Sequence, residues 1–213
     1  MLPRLLLVFV LSLLVHGCFD VAKASAQSLQ TFFNQVQSLQ ADFDQLVVDE
    51  NGMTLDSSQG VFSLQRPGKF RWNYLPKDDY SEQGQQIISD GDWITFFDPD
   101  LETANQRSLQ QALKQVPTLA LVQSGVDAGK FFTISDYGLT DGLFWFGLKP
   151  KDPDAVYQGL LIGFKNEELR TILLTDGLGN ETKLSLRNVK TNIELAPSLF
   201  EFSAGENIDV IRE

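Results

Sequence analysis

The chain has 213 residues, 43% of them hydrophobic, with 16 Phe against two Met and a formal charge of −11. That length and apolar content supply one sizeable core in one domain. So acidic a chain repels phosphate backbones and anionic headgroups, which excludes nucleic acid and direct electrostatic docking on a membrane and leaves basic surfaces of partner proteins.

Residues 1–26, "MLPRLLLVFVLSLLVHGCFDVAKASA", have the pattern of an export signal. Arg4 precedes an apolar run from Leu5 to Val15, and the small residues Ala24 and Ala26 form a cleavage site. The run is too short to span a bilayer as a mature helix. Residues 27–213 are then expected as a single domain outside the cytoplasm. A second reading takes "VHGC" as a lipoprotein box acylated at Cys18, which directly follows the apolar run, although His16 occupies a place where such boxes carry a small or β-branched residue. Either reading has a chemical consequence. The only Cys, Cys18, and the only His, His16, both lie in this leader. A chain cut after Ala26 has no disulfide, no thiol or Ser-His-Asp catalysis and no His-based zinc site. Losing Arg4, Lys23 and Asp20 also makes it one unit more negative.

From Ser28, a suitable N-cap, the residues Leu29, Phe32, Phe33, Val36 and Leu39 repeat at helical spacing and predict one amphipathic helix packed on the core. From about Ala41 the period changes to two. Turn dipeptides at Asn51-Gly52, Pro67-Gly68, Asp90-Gly91, Asp141-Gly142 and Asp176-Gly177 separate strand-like runs. Phe62/Leu64, Phe70/Trp72/Tyr74, Phe144/Phe146/Leu148, Leu160/Ile162/Phe164, Leu184/Leu186 and Phe200/Phe202 alternate, which predicts a long antiparallel meander with one apolar face. "RSLQQALKQVPTLALVQSG", Arg107 to Gly125, interrupts it with helical spacing at Leu109, Leu113 and Val116, a break at Pro117 and an apolar run from Leu119 to Val122. Two short helices inserted there must lie over one face of the sheet. The fold class is therefore mainly β with α: one curved antiparallel sheet that curls toward a barrel, covered by helices.

The carboxylates of "SDGDWITFFDPDLE" are the best acid–base candidates, but hydrolysis needs a suitable gap and one raised pKa. Turn formation at Asp90-Gly91 and strand exit at Asp98-Pro99-Asp100 account for them more simply, and the segment lacks the order of a calcium loop. No catalytic residue, metal or cofactor is assigned. The anomaly is Arg66, a permanent charge in phase with Phe62, Leu64, Phe70 and Trp72. The residues alone leave two readings: Arg66 bends out to water or a surface carboxylate, or it reaches inward and bonds carbonyls at the end of a covering helix with its five donors.

"FSLQRPGKFRW", "ISDGDWITFFDPDLE", "VPTLALVQSG" and "APSLFEFSAGENIDVI", in that order, resemble the LolA family of periplasmic outer-membrane lipoprotein carriers. The resemblance covers nearly all of residues 28–213, with only the strand pattern matching between Lys130 and Lys183. It implies an incomplete, half-open β-barrel with a helical lid, whose cavity takes lipoprotein acyl chains. It also implies a periplasmic, non-enzymatic, monomeric carrier, loaded by an inner-membrane lipoprotein-releasing ABC transporter and unloaded onto an outer-membrane receptor. In the family the position of Arg66 latches the lid over the empty cavity and that of Phe70 handles cargo. Trp72 continues the same wall, and Leu119, Ala120, Leu121 and Val122 fall in the lid. The alternatives keep the fold: a membrane-anchored receptor acylated at Cys18, or a sensor module that binds lipid without transporting it.

Overall fold

A computed structural model describes residues 29, 32–77, 83–115, 123, 127–205 and 207–212. The expected leader, Ser28, Val116, Pro117 and the lid residues Leu119, Ala120, Leu121 and Val122 lie outside the described residues. Residues 29 and 32–35 are helical, and the helix turns directly into β1 (Ser38–Val48).

Two antiparallel meanders follow. The first is β1, β2 (Thr54–Gln65), β3 (Lys69–Tyr74), β4 (Gln86–Asp90), β5 (Trp93–Asp98) and β6 (Thr103–Ser108). The second is β7 (Phe132–Thr140), β8 (Leu143–Pro150), β9 (Tyr157–Lys165), β10 (Glu168–Asp176) and β11 (Glu181–Thr191). They join where β1 pairs with β11, placing Phe43 opposite Leu186. The result is one open 12-stranded sheet, an incomplete barrel in which β7 is an edge strand and β6 lies far from it, next to the opposite edge.

A single meander would have put β6 beside β7. Instead the chain from α1 (Leu109–Gln115) through α2 (Ala128–Phe131) links the two flanks. Leu109, Ala112 and Ala128 are buried in the same core as the inner strands, so both short helices lie against the inner face. Asp127 caps α2 by accepting from the Gly129 amide.

All five turn dipeptides connect strands. At Asp141-Gly142 both residues have positive φ, 52° and 76°, the twist a two-residue hairpin requires. One turn lacked a glycine to announce it: Asn166 and Glu167, between β9 and β10, have φ of 51° and 64°. The strand pairs then place alternate residues on one face. Phe62 opposes Trp72, Leu64 opposes Phe70, and Phe144, Phe146 and Leu148 oppose Phe164, Ile162 and Leu160.

The opposite face is not uniformly polar, which corrects the expectation of one apolar face. Phe200 and Phe202 do not form a strand. Phe200 ends a 3-10 turn (Pro197–Phe200) and is 1% exposed, and Phe202 packs on Phe97 with ring centroids 5.4 Å apart. The physical reason is visible in β4 to β6, where Ile88, Phe97 and Ala104 share the outward phase and need a cover. The C-terminal segment supplies it, then runs into β12 (Asp209–Arg212), which pairs parallel to β6 and so departs from the all-antiparallel expectation.

Candidate functional site

The turn between β2 and β3 carries Arg66. Its side chain points inward and is 6% exposed. Nε donates to the Val36 carbonyl at 2.8 Å, just past the N-terminal helix, and Nη1 donates to the Gln123 carbonyl at 2.5 Å, between α1 and α2. The backbone joins in, with the Arg66 amide donating to the Gln37 carbonyl at 2.8 Å. One side chain thus ties a strand turn, the end of a helix and the connection that crosses the inner face. A helix C-terminus favours a cation, so Val36 suits the guanidinium electrostatically as well as geometrically. Phe33 stands 6.0 Å from the guanidinium carbon. Burial pushes the Arg66 pKa down to about 10, which still leaves it charged at neutral pH.

The adjoining turn is fitted just as closely. Gly68 has φ of 72°, and a Cβ there would meet Leu109 Cδ2 at 2.9 Å. Glycine is needed twice over, for the left-handed backbone and for the approach of α1.

Beyond the turn stands an aromatic wall. Phe70 is buried at 4% exposure. The Trp72 ring lies 4.2 Å from Phe62 and 5.7 Å from Phe43, and Phe43 is edge-on to Tyr74 at 5.3 Å. Phe32 of the N-terminal helix reaches Phe164 at 5.6 Å, and Phe146 reaches Phe164 at 6.0 Å, so rings of the second meander pack against the helix. Tyr74 donates to Gln45 Oε1 at 3.2 Å, and burial pushes its pKa up. The buried indole nitrogen of Trp72 has no hydrogen-bond partner among the described residues, whereas that of Trp145 donates to the Thr140 carbonyl at 3.2 Å.

The carboxylates do other work. Asp90 Oδ1 accepts from the amides of Asp92 and Trp93 at 2.8 and 2.7 Å, and Asp98 Oδ1 accepts from Asp100 and Leu101 at 3.0 and 3.3 Å. Each holds a turn. A sizeable depression, about 650 Å³, lies on the outer face between β4–β6 and the C-terminal segment, with Arg71 and Gln86 on its wall beside Asp100, Glu102 and Glu201. Its lining mixes these charged groups with Ile88, Phe97, Phe202 and Ile208.

The sequence pattern placed Arg66, Phe70 and Trp72 on one face, and the structure brings them together. It did not settle whether Arg66 turns out to water or meets carbonyls at a helix end; the acceptors are main-chain carbonyls 30 and 57 residues away, that of Val36 just past the N-terminal helix. Nor did it signal the role of Arg71, which donates to the Leu199 carbonyl at 3.1 Å and to Gln86 Oε1 at 2.7 Å and so fastens the C-terminal segment. Among the described residues no helix is long and apolar enough to cross a membrane.

Comparison with known proteins gives a consistent result. Over residues 34–203 the chain matches the model of the family described as outer membrane lipoprotein carrier protein LolA. It is 37% identical over 213 residues to the outer-membrane lipoprotein carrier protein of Methylococcus capsulatus, covering 100% of both chains. It is 33% identical over 195 residues to the protein of the same name from Methylobacillus flagellatus, covering 92% of each. Among solved structures, an uncharacterized conserved protein of Thermus thermophilus shares the fold with a TM-score of 0.56 at 10% identity, covering 89% of this chain and 99% of its own. An open sheet closed on one side by helices, an aromatic inner wall and a family match across most of the length converge: the chain belongs to the LolA family of outer-membrane lipoprotein carriers.

Proposed function

We propose that this protein is a non-enzymatic carrier that shields the acyl chains of lipoproteins against the inner face of its sheet. It takes them as they leave the inner membrane through a lipoprotein-releasing ABC transporter and delivers them to a receptor at the outer membrane. In this reading residues 1–26 are removed on export, residues 27–213 form one periplasmic carrier domain that works as a monomer, and Leu119, Ala120, Leu121 and Val122 belong to the lid. Arg66 is the latch, and Phe70 and Trp72 are wall.

The observation that carries the reading is the buried Arg66 bridging the Val36 and Gln123 carbonyls. A charged donor gives hydrogen bonds worth about 1.5–3 kcal/mol each, enough to bias a closed state. Each buried methylene contributes about 0.8 kcal/mol, so a fully enclosed long acyl chain contributes roughly 10 kcal/mol. Cargo therefore outweighs the latch, and the empty protein closes over its own aromatic surface when cargo leaves.

The test is incubation of purified protein with lipoprotein-loaded spheroplasts. Wild type should release lipoproteins as a water-soluble complex. Arg66→Leu should still accept them but retain them when receptor is offered, because nothing then favours the closed, empty state. If wild type leaves all lipoprotein in the membrane, the carrier reading is wrong. Asp98→Asn and Asp100→Asn should leave release and delivery unchanged.

A further inference from the structure

Along the described inner face the polar side chains are largely spoken for. Tyr74 and Gln45 bond each other, and Arg66 bonds two carbonyls. Trp72 is different. Its indole nitrogen is buried without a partner among the described residues, and its ring packs against Phe62 and Phe43. Buried donors are nearly always satisfied, and an indole N–H in particular finds a partner when buried, as that of Trp145 does. A phenylalanine would supply the same apolar wall with no orphaned donor, and the chain uses Phe at 16 places. The indole sits in β3 two residues from Phe70 and four from Gly68 of the latch turn, on the aromatic wall along which the hydrocarbon of an enclosed chain would run.

Resting on the carrier reading, we propose that the Trp72 indole N–H is a hydrogen-bond donor to the ester or amide carbonyl at the head of a bound acyl chain. The empty protein leaves this donor unmet, and cargo satisfies it. The wall then recognises an acyl group rather than hydrocarbon alone, and fixes how deep the chain sits.

The experiment compares 1-O-dodecanoylglycerol with 1-O-dodecylglycerol, an ester and an ether with the same chain length and the same glycerol head. Wild type should bind the ester more tightly, by about 2- to 10-fold, the range of one neutral hydrogen bond. Trp72→Phe should bring the two affinities together by weakening the ester alone. Independently, in protein labelled with nitrogen-15 at tryptophan, one of the three indole N–H signals should move downfield with the ester and stay with the ether. That readout needs no variant, so it decides the matter if Trp72→Phe does not fold. An ester-to-ether ratio that survives in Trp72→Phe, an equal loss for both probes, or an unmoved indole signal overturns the role of Trp72 and leaves the carrier reading standing. If wild type binds neither probe, the carrier reading falls first and takes the proposal with it.

Discussion

At Gly60 in β2 the inner wall leaves no room for a side chain. A Cβ there would lie 2.1 Å from the Asn73 carbonyl oxygen and 2.8 Å from the Phe43 ring, which faces it across β1. The glycine lets that ring lie flat enough to touch both Trp72 and Tyr74. Gly60→Val should destabilise the fold by at least about 2 kcal/mol, since overpacking against main chain has no cheap relief. Gly159→Ala, whose Cβ would meet only the Leu148 carbonyl oxygen at 3.4 Å, serves as the control and should be close to neutral. Urea midpoints measured on both variants check this. Neither effect was legible in the sequence, where both residues are simply glycines in strand-like runs. What was legible was phase: alternation alone put Arg66 among Phe62, Leu64, Phe70 and Trp72, because a period of two follows from strand geometry whatever the tertiary context. The acceptors of Arg66 were not, because any main-chain carbonyl can accept and sequence carries no mark of which one lies near.

At the scale of elements, the inner and outer faces of the first meander have different covers. The inner face has helices, which the spacing of Leu29, Phe32 and Phe33 and of Leu109 and Leu113 announced. The outer face has the C-terminal segment, fastened by Arg71 to the Leu199 carbonyl and filled by Phe200. Phe200 and Phe202 were read as a strand because two aromatics at i and i+2 fit a strand template, and so short a run cannot be told from a turn. The apolar residues in both phases of β4 and β5, Ile87 with Ile88 and Phe96 with Phe97, were the available sign that this part of the sheet is covered on both sides. Arg71→Ala should free the last segment without unfolding the sheet. Amide protons from 198 to 212 should then exchange faster by roughly 10-fold or more, the loss of charge-assisted bonds worth about 1.5–3 kcal/mol, while those of β1 and β11 keep their protection. Uniform loss of protection would mean that the segment and the sheet form one cooperative unit.

For the molecule as a whole, the topology bears on the latch proposed for Arg66 and on why pH would not work it. Two meanders fused at β1 and β11 leave β6 and β7 far apart, and Gln123, between the two helices that link them, is held by the Arg66 side chain. The latch charge is constant. Arg66 at about 10 is fully protonated through the neutral range, and because burial lowers it, the stability it affects changes only above that value, where the unfolded chain holds the extra proton. Under the proposed function, cargo rather than protons opens it. The groups that do respond are carboxylates at two turns and in β2. Hydrogen bonds from the Met53 and Asn51 amides lower the pKa of Asp49, bonds from Asn180 lower that of Asp176, and Lys77 lowers that of Asp56, each from an ordinary 3.8. For a depressed carboxylate the unfolded chain binds the proton first, so the stabilisation is complete above the ordinary value and is lost as pH falls through the lowered one. Thermal stability should therefore be flat between about pH 5 and 9 and decline below about pH 4. The measurement belongs at high salt, where the self-repulsion of a chain with charge −11 is screened and cannot mask the decline by easing as the carboxylates protonate. Asp176→Asn, which removes one titrating turn, should be less stable than wild type at neutral pH and lose less on acidification. A wild-type profile that instead broke between pH 6 and 8 would place a titrating group in the closed state and contradict an arginine latch.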